Sequence, residues 1–244
     1  MAGRTKIEWT ECSWNPITGC TKISDGCAHC YAATLTRRLV AMHNPRYKNG
    51  FNVTVHEDLI DLPKKWKTPR KIFVNSMSDI FHEAVSDEII LRIFKTMNEC
   101  PQHEFQVLTK RPERLRTLNG RIQWTKNIWM GVTIENNKYL NRADMLRESG
   151  AKVKFISAEP LIGEINNINL DKIDWIIVGG ESGSQARPMN IEWVRAIRDK
   201  AQREQVAFFF KQWGGTVKKK NGRTLDGRTH DEYPSAKNSV DEKI

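Results

Sequence analysis

KIFVNSMSD, residues 71–79, is an apolar run that stops abruptly in a string of polar side chains. Its first half reads as a buried strand and its second half as the turn that follows. A helix comes next. Ser86 is placed to cap it, Asp87 and Glu88 fall in its first turn, and Ile89, Ile90, Ile93, Phe94 and Met97 recur on one side. The same unit repeats down the chain. EFQVLTKRP (104–112) precedes the short helical ERLRTLNG. NIWMGVTIEN (127–136) leads into KYLNRADMLRESG, where Leu140, Ala143 and Leu146 face inward and Gly150 is the expected stop. KVKFISAEPLIG (152–163) and DWIIVGGESG (174–183) follow, and Asn190 is placed to cap the helix that leads to VAFFFKQWGG (206–215).

Strand and helix in strict alternation predict a parallel sheet with right-handed crossovers. The strands end at one topological level in residues that can do chemistry: Asn75-Ser76-Met77-Ser78-Asp79, Thr109-Lys110-Arg111, Thr133-Ile134-Glu135, Ser157-Ala158-Glu159, Gly179-Gly180-Glu181-Ser182 and Lys211-Gln212. One polar strand end is an ordinary turn; six together predict a shared pocket at the carboxyl ends of the strands. The expected fold class is α/β, an open or partial (β/α) barrel, with WNPITGCTKISDGCAHCYA supplying the first strand and a long loop.

The chain has 244 residues, enough for one such domain, placed here at 1–215 with a basic tail or flap at 216–244. No apolar run is long enough to span a membrane, and the N-terminus lacks the apolar core of a secretion signal, so a cytoplasmic location and no membrane partner are expected. A net charge of +10 suggests a polyanionic or anionic partner such as nucleic acid. Much of the excess lies on KKWKTPRK (64–71) and KKKNGR (218–223).

Three of the five cysteines, Cys20, Cys27 and Cys30, fall within GCTKISDGCAHCYA (19–32). In a reducing compartment such a group is a metal or redox site rather than a disulfide framework. A structural zinc needs a fourth ligand. Cys12, His43 and His56 are available, but none has the spacing of a finger or ribbon, and Cys100 reads as a small buried residue. Three thiolates without a fourth partner suit a [4Fe-4S] cluster with one open iron. On the residues alone two readings stand, a zinc-stapled nucleic-acid-binding protein without catalysis and a non-radical iron–sulfur enzyme.

TGCTKISDGCAHCYA, SMSDIF, LTKRP, GVTIEN, SAEPL, VGGESG and FKQWGG together resemble the phage Gp37/Gp68 family, the three-Cys-motif group, over nearly the whole chain. That family in turn resembles the radical S-adenosylmethionine superfamily. The superfamily's usual pattern is C-x3-C-x2-C, and here the first gap is six residues while the second half, Cys27-Ala28-His29-Cys30, keeps its spacing. The resemblance implies that Cys20, Cys27 and Cys30 each bind one iron and that S-adenosyl-L-methionine chelates the fourth. It further implies a 5′-deoxyadenosyl radical, an electron donor protein, and a nucleic acid or nucleotide as substrate. Ser76, Ser78 and Asp79 become candidates to meet the methionine amino group, Thr133 and Glu135 the ribose, and Glu159 or Glu181 a further hydroxyl or ammonium. Lys110, Arg111, Arg187 and Lys211 are candidates to hold a carboxylate or an anionic substrate. Gly179 and Gly180 would let the backbone approach the adenosyl group, and Trp213 is the tryptophan expected on the pocket wall.

Overall fold

The computed structural model describes residues 2–234. Its main sheet has eight strands among the described residues: β1 (Ala2–Arg4), β2 (Cys12–Trp14), β5 (Lys71–Val74), β6 (Glu104–Thr109), β7 (Ile128–Thr133), β8 (Val153–Ala158), β9 (Trp175–Gly179) and β10 (Ala207–Gln212), hydrogen-bonded in that order. β1 runs antiparallel to β2. The other seven are mutually parallel and form a curled half-barrel, open between β1 and β10. Two short strands, β3 (Ile17–Thr18) and β4 (Thr54–Val55), pair separately.

The first parallel strand therefore sits a little earlier than the sequence suggested. Pro16 has no amide to give a ladder, so the parallel strand stops at Trp14 and the next two residues join the separate pair. The helices are α1 (Tyr31–Ala41), α2 (Glu57–Ile60), α3 (Asp87–Asn98), α4 (Pro112–Leu118), α5 (Asn141–Arg147) and α6 (Ile191–Arg203). Ser86 Oγ caps α3 by accepting from the Ile89 amide, and Asn190 caps α6 by accepting from Glu192. Gly150 is not the stop of α5. The helix ends at Arg147, and Gly150 is small because a Cβ there would lie 2.4 Å from the Trp124 ring. No α-helix covers the crossover from β8 to β9; Ile165, Ile168, Leu170 and Ile173 fill that side of the core instead.

Alternation along the strands divides the apolar residues into two layers. Ile72, Val74, Phe105, Val107, Met130, Val132, Ile156, Ile176, Phe208 and Phe210 face the helices, against Ile93, Phe94, Leu146, Val194 and Ile197. Phe73, Trp129, Phe155, Trp175, Ile177 and Phe209 belong to a second cluster on the concave face. Trp9, from the turn between β1 and β2, enters this cluster, with its ring centroid 4.7 Å from Phe73, 6.4 Å from Phe155 and 6.1 Å from Trp175. It plugs the hollow that a complete barrel would fill with side chains from the missing strands.

The segment after β10, expected as a basic tail or flap, is packed against the sheet as far as it is described. Residues up to 234 turn back along β10: Phe210 N donates to His230 O at 2.9 Å, and Leu225 and His230 are buried. Tyr233 lies 5.1 Å from Trp175. The apolar side chains of this stretch draw it onto the core, and it covers an otherwise open strand edge. Residues 235–244 of the expected tail lie outside the described residues.

Candidate active site

Gly19 begins the cysteine loop with φ 87°, and a Cβ there would lie 2.2 Å from the Asn52 carbonyl oxygen. Only glycine fits such an approach of backbone to backbone. Gly19 N donates to Met77 O at 3.0 Å and Cys20 N to Phe51 O at 3.1 Å, so Cys20 is fixed beside the end of β5. Cys27 closes a single 3-10 turn, Asp25–Cys27, and Cys30 stands at the N-terminus of α1. All three are free and half-buried.

The loop rests on Glu135. This carboxylate is fully buried and accepts from Ser24 Oγ, from Lys110 Nζ at 2.7 Å and from Arg142 Nη1 at 2.9 Å. Gly26 lies so close above it that a Cβ would come within 2.6 Å of Glu135 Cγ. Tyr139 Oη and the Arg187 guanidinium hold the two ends of the Asp25 peptide. On the other side Arg111, 7% exposed, donates to Cys20 Sγ at 3.5 Å, to Thr21 and to the carboxylates of Asp79 and Glu83.

The thiols differ in electrostatic setting. Burial pushes Cys20 up to about 11, against the pull of Arg111. Burial opposes ionisation of Cys27 as well, but hydrogen bonds from Ile23 and Ser24 and the charge of Lys110 together hold that thiol below its ordinary value. Glu181 is held to about 2: burial would raise it, and hydrogen bonds from Arg187 and His29 outweigh that.

The cysteines line a cavity of about 430 Å³ at the carboxyl ends of the strands. Ser76, Ser78, Asp79, Thr133, Glu159, Gly180, Glu181 and Lys211 share its wall, so most of the polar strand ends do meet. Glu135 and Gly179 are not on that wall. Glu135 sits beneath the cysteine loop, and a Cβ on Gly179 would lie 2.5 Å from Glu159 Oε1, so this glycine makes room for a protein side chain. Gly180 likewise makes room for protein: a Cβ would come within 2.1 Å of the Trp213 carbonyl oxygen. Gly180→Ala should therefore destabilise the fold by about 1–3 kcal/mol, read from urea denaturation; a change below about 0.5 kcal/mol would show that the two loops separate freely.

Trp213 is not on the wall. Its ring packs on Phe210 at 4.8 Å and its Nε1 donates to Thr224 O, because the chain turns away after Gln212. The expected anion-binding cations all have carboxylate partners: Lys110 with Glu135, Arg111 with Asp79 and Glu83, Arg187 with Glu181, and Lys211 with Glu159 at 2.9 Å. Ser76 Oγ donates to Asn15, and Ser78 Oγ to Ile17 O. Asp79 accepts from Phe81 N, Thr109 Oγ1 and Lys110 N, which makes it a brace for the next strand end. Reading the sequence missed the lower wall of the cavity, formed by Ile7, Trp9, Phe73 and Leu108; Asn75, Ser157 and Gln212, in the strand ends it did single out, are on the wall as expected.

Among the described residues, no three or more His, Cys, Asp or Glu side chains converge as a single metal ion requires. A cubane makes a different demand, one sulfur ligand per iron, and three free cysteines on one wall fit it. Cys12, weighed as a fourth ligand, lies in the core 2% exposed, and His56 is bonded to Thr18 Oγ1 at 2.9 Å.

A family model described as "Protein of unknown function (DUF5131)" matches residues 4–234. The chain belongs to that family. No curated protein matches it. Among solved structures, a cysteine-to-serine mutant of spore photoproduct lyase is similar, with 14% identity and a TM-score of 0.51. A cysteine-to-alanine mutant of the same protein with dinucleoside spore photoproduct has 14% identity and a TM-score of 0.50. Each match covers 83% of this chain and 64% of the other, so this member of the family spans under two thirds of the enzyme it resembles. The likeness is one of fold, a partial barrel.

Proposed function

We propose that the protein is a radical S-adenosylmethionine enzyme, and that Cys20, Cys27 and Cys30 hold a [4Fe-4S] cluster. One observation carries the reading. Three free thiols from one loop share a cavity with the polar carboxyl ends of a parallel half-barrel. The half-barrel likeness and the family resemblance in the sequence support it. When bound, cluster and S-adenosylmethionine would supply a 5′-deoxyadenosyl radical after one-electron reduction from a donor protein.

The chain's own part is placement and shielding. Arg111 and the Ser24 hydroxyl hold Cys20 and Cys27 by hydrogen bonds at their sulfurs. Glu159, on the β8 end, and Gln212 Oε1, a buried acceptor without a hydrogen-bond partner, stand ready for hydroxyl or ammonium groups of the cofactor. Thr133 and Ser157, opposite each other in the register, complete that side. The aromatic lower wall keeps water from the reacting centre. The substrate class we infer is nucleic acid or a nucleotide, in keeping with the +10 charge. Three free thiols suit a reducing cytoplasm, and among the described residues no helix is long and apolar enough to cross a membrane.

The test is anaerobic reconstitution. The protein should be brown, with broad absorbance near ~400 nm. S-adenosylmethionine at about 100 times its dissociation constant should add about 2.7 kcal/mol of stability. Glu159→Gln should reduce that gain and leave the iron content unchanged. Colourless protein carrying one stoichiometric zinc would overturn the reading in favour of a metal-stapled binding protein.

A further inference from the structure

Buried polar groups without partners are rare in folded proteins, and each asks for an explanation. Two residues of this kind line the lower part of the cavity. Trp9 is 1% exposed and its Nε1 has no hydrogen-bond partner; Asn75 is 3% exposed and neither its Nδ2 nor its Oδ1 has one. They are neighbours through Phe73, which packs on Trp9 at 4.7 Å and stands two residues before Asn75. The backbone of Asn75 adopts φ 59°, a left-handed conformation that asparagine tolerates better than most residues. Its amide N–H is anchored to Trp14 O at 2.8 Å, so the side chain is held in place by the main chain.

The rest of this wall is apolar: Ile7, Phe73 and Leu108. The charged residues about the cavity are paired with one another: Lys211 with Glu159, Arg111 with Asp79 and Arg187 with Glu181. The groups left without a partner here, Trp9 Nε1 and the Asn75 amide, are themselves neutral. A neutral, flat ligand does fit, because aromatic faces take up rings by stacking.

Counting hydrogen-bonding groups narrows the class. Trp9 Nε1 is a donor, Asn75 Nδ2 a donor and Asn75 Oδ1 an acceptor. The complementary edge has two acceptors and one donor. Uracil, thymine and cytosine have that edge; guanine has one acceptor and two donors, and adenine one of each. We propose that Trp9 and Asn75 form a recognition site for the pairing edge of a pyrimidine base, presented either by a free nucleoside or by an unstacked nucleotide of a single strand. The inference rests on the reading above only in taking this cavity as the substrate's; Asn75 follows β5, whereas the groups assigned to the cofactor stand at the ends of β7, β8 and β10.

Reconstituted full-length protein, titrated calorimetrically with uridine, cytidine and guanosine, tests the site. Uridine and cytidine should bind about ten-fold or more tightly than guanosine, since a mismatched edge leaves buried groups unpaired. Asn75→Gly keeps the left-handed backbone and removes the amide; it should weaken pyrimidine binding about ten-fold. Trp9→Phe keeps an aromatic ring and removes one donor; it should weaken binding about five-fold. Both variants should retain wild-type iron content and the wild-type thermal shift with S-adenosylmethionine. A parallel titration with oligouridylate separates the sources. Tighter binding that falls with salt supports a strand as the ligand, and binding no tighter than uridine supports the free nucleoside.

Equal binding of guanosine and uridine overturns the proposal. So does unchanged pyrimidine affinity in Asn75→Gly, or in Trp9→Phe should the first variant fail to fold. Loss of the S-adenosylmethionine shift in Asn75→Gly also overturns it, because the amide would then serve the cofactor. Wild-type protein that takes up S-adenosylmethionine but no pyrimidine sinks this proposal and leaves the radical reading standing. Pyrimidine binding without iron or S-adenosylmethionine uptake does the reverse.

Discussion

Alanine at any one of Cys20, Cys27 or Cys30 is expected to leave the reconstituted protein without its iron. Each thiolate would hold a different corner of one cluster, so the loss of one exposes a second iron and the cluster does not survive isolation. Cys100→Ala and Cys12→Ala should retain full iron content. Both side chains lie in the core, 1% and 2% exposed, and Cys12 packs in the layer that faces the helices, away from the loop. Iron and sulfide analysis with the absorbance near ~400 nm gives the answer directly. Should Cys12→Ala lose iron as fully as the loop variants, the cluster would have four protein ligands, and no open iron would remain for S-adenosylmethionine.

The second large effect lies beneath the loop. Glu135 is a fully buried carboxylate shared by Lys110 and Arg142, at 2.7 and 2.9 Å. Removing one member of such a group leaves buried charge without its counterpart, which costs about 3–5 kcal/mol. Glu135→Ala should lower stability by that amount, with a fall in melting temperature of roughly 10 °C for a chain of this size. Glu135→Gln keeps the shape and part of the hydrogen bonding, so it should fall between. The measurement is made on metal-free protein, where cluster loss cannot contribute. A change under 1 kcal/mol in Glu135→Ala would mean that Lys110 and Arg142 find other partners, and that Glu135 does not brace the cysteine loop.

The strand–helix rhythm and the two helix caps were plain in the residues because they depend on local pattern. Strands at 71–74, 104–109, 128–133, 153–158, 175–179 and 207–212 match runs of β-branched and aromatic residues. That their polar ends face one cavity also followed from topology. What escaped was direction once a strand had ended. Thr133 faces the cavity, but Glu135, with the same parity, lies under the cysteine loop because β7 stops at Thr133 and the chain bends. Trp213 turned out to pack outside for the same reason. The pairing of Lys110, Arg111 and Lys211 with carboxylates joins residues from different strand ends and leaves no trace in local spacing. Trp9 belongs to no strand or helix, so no periodicity marks it as the plug.

That plug makes the order of synthesis matter. Trp9 leaves the ribosome well before Phe155 and Trp175, two of the rings it packs against. Until they appear, a large apolar side chain near the N-terminus has no finished surface to cover. Closing so long a loop before any contact rewards it makes folding slow. The concave layer is thus complete only once the strands that carry Phe155 and Trp175 are in place for Trp9 to pack against.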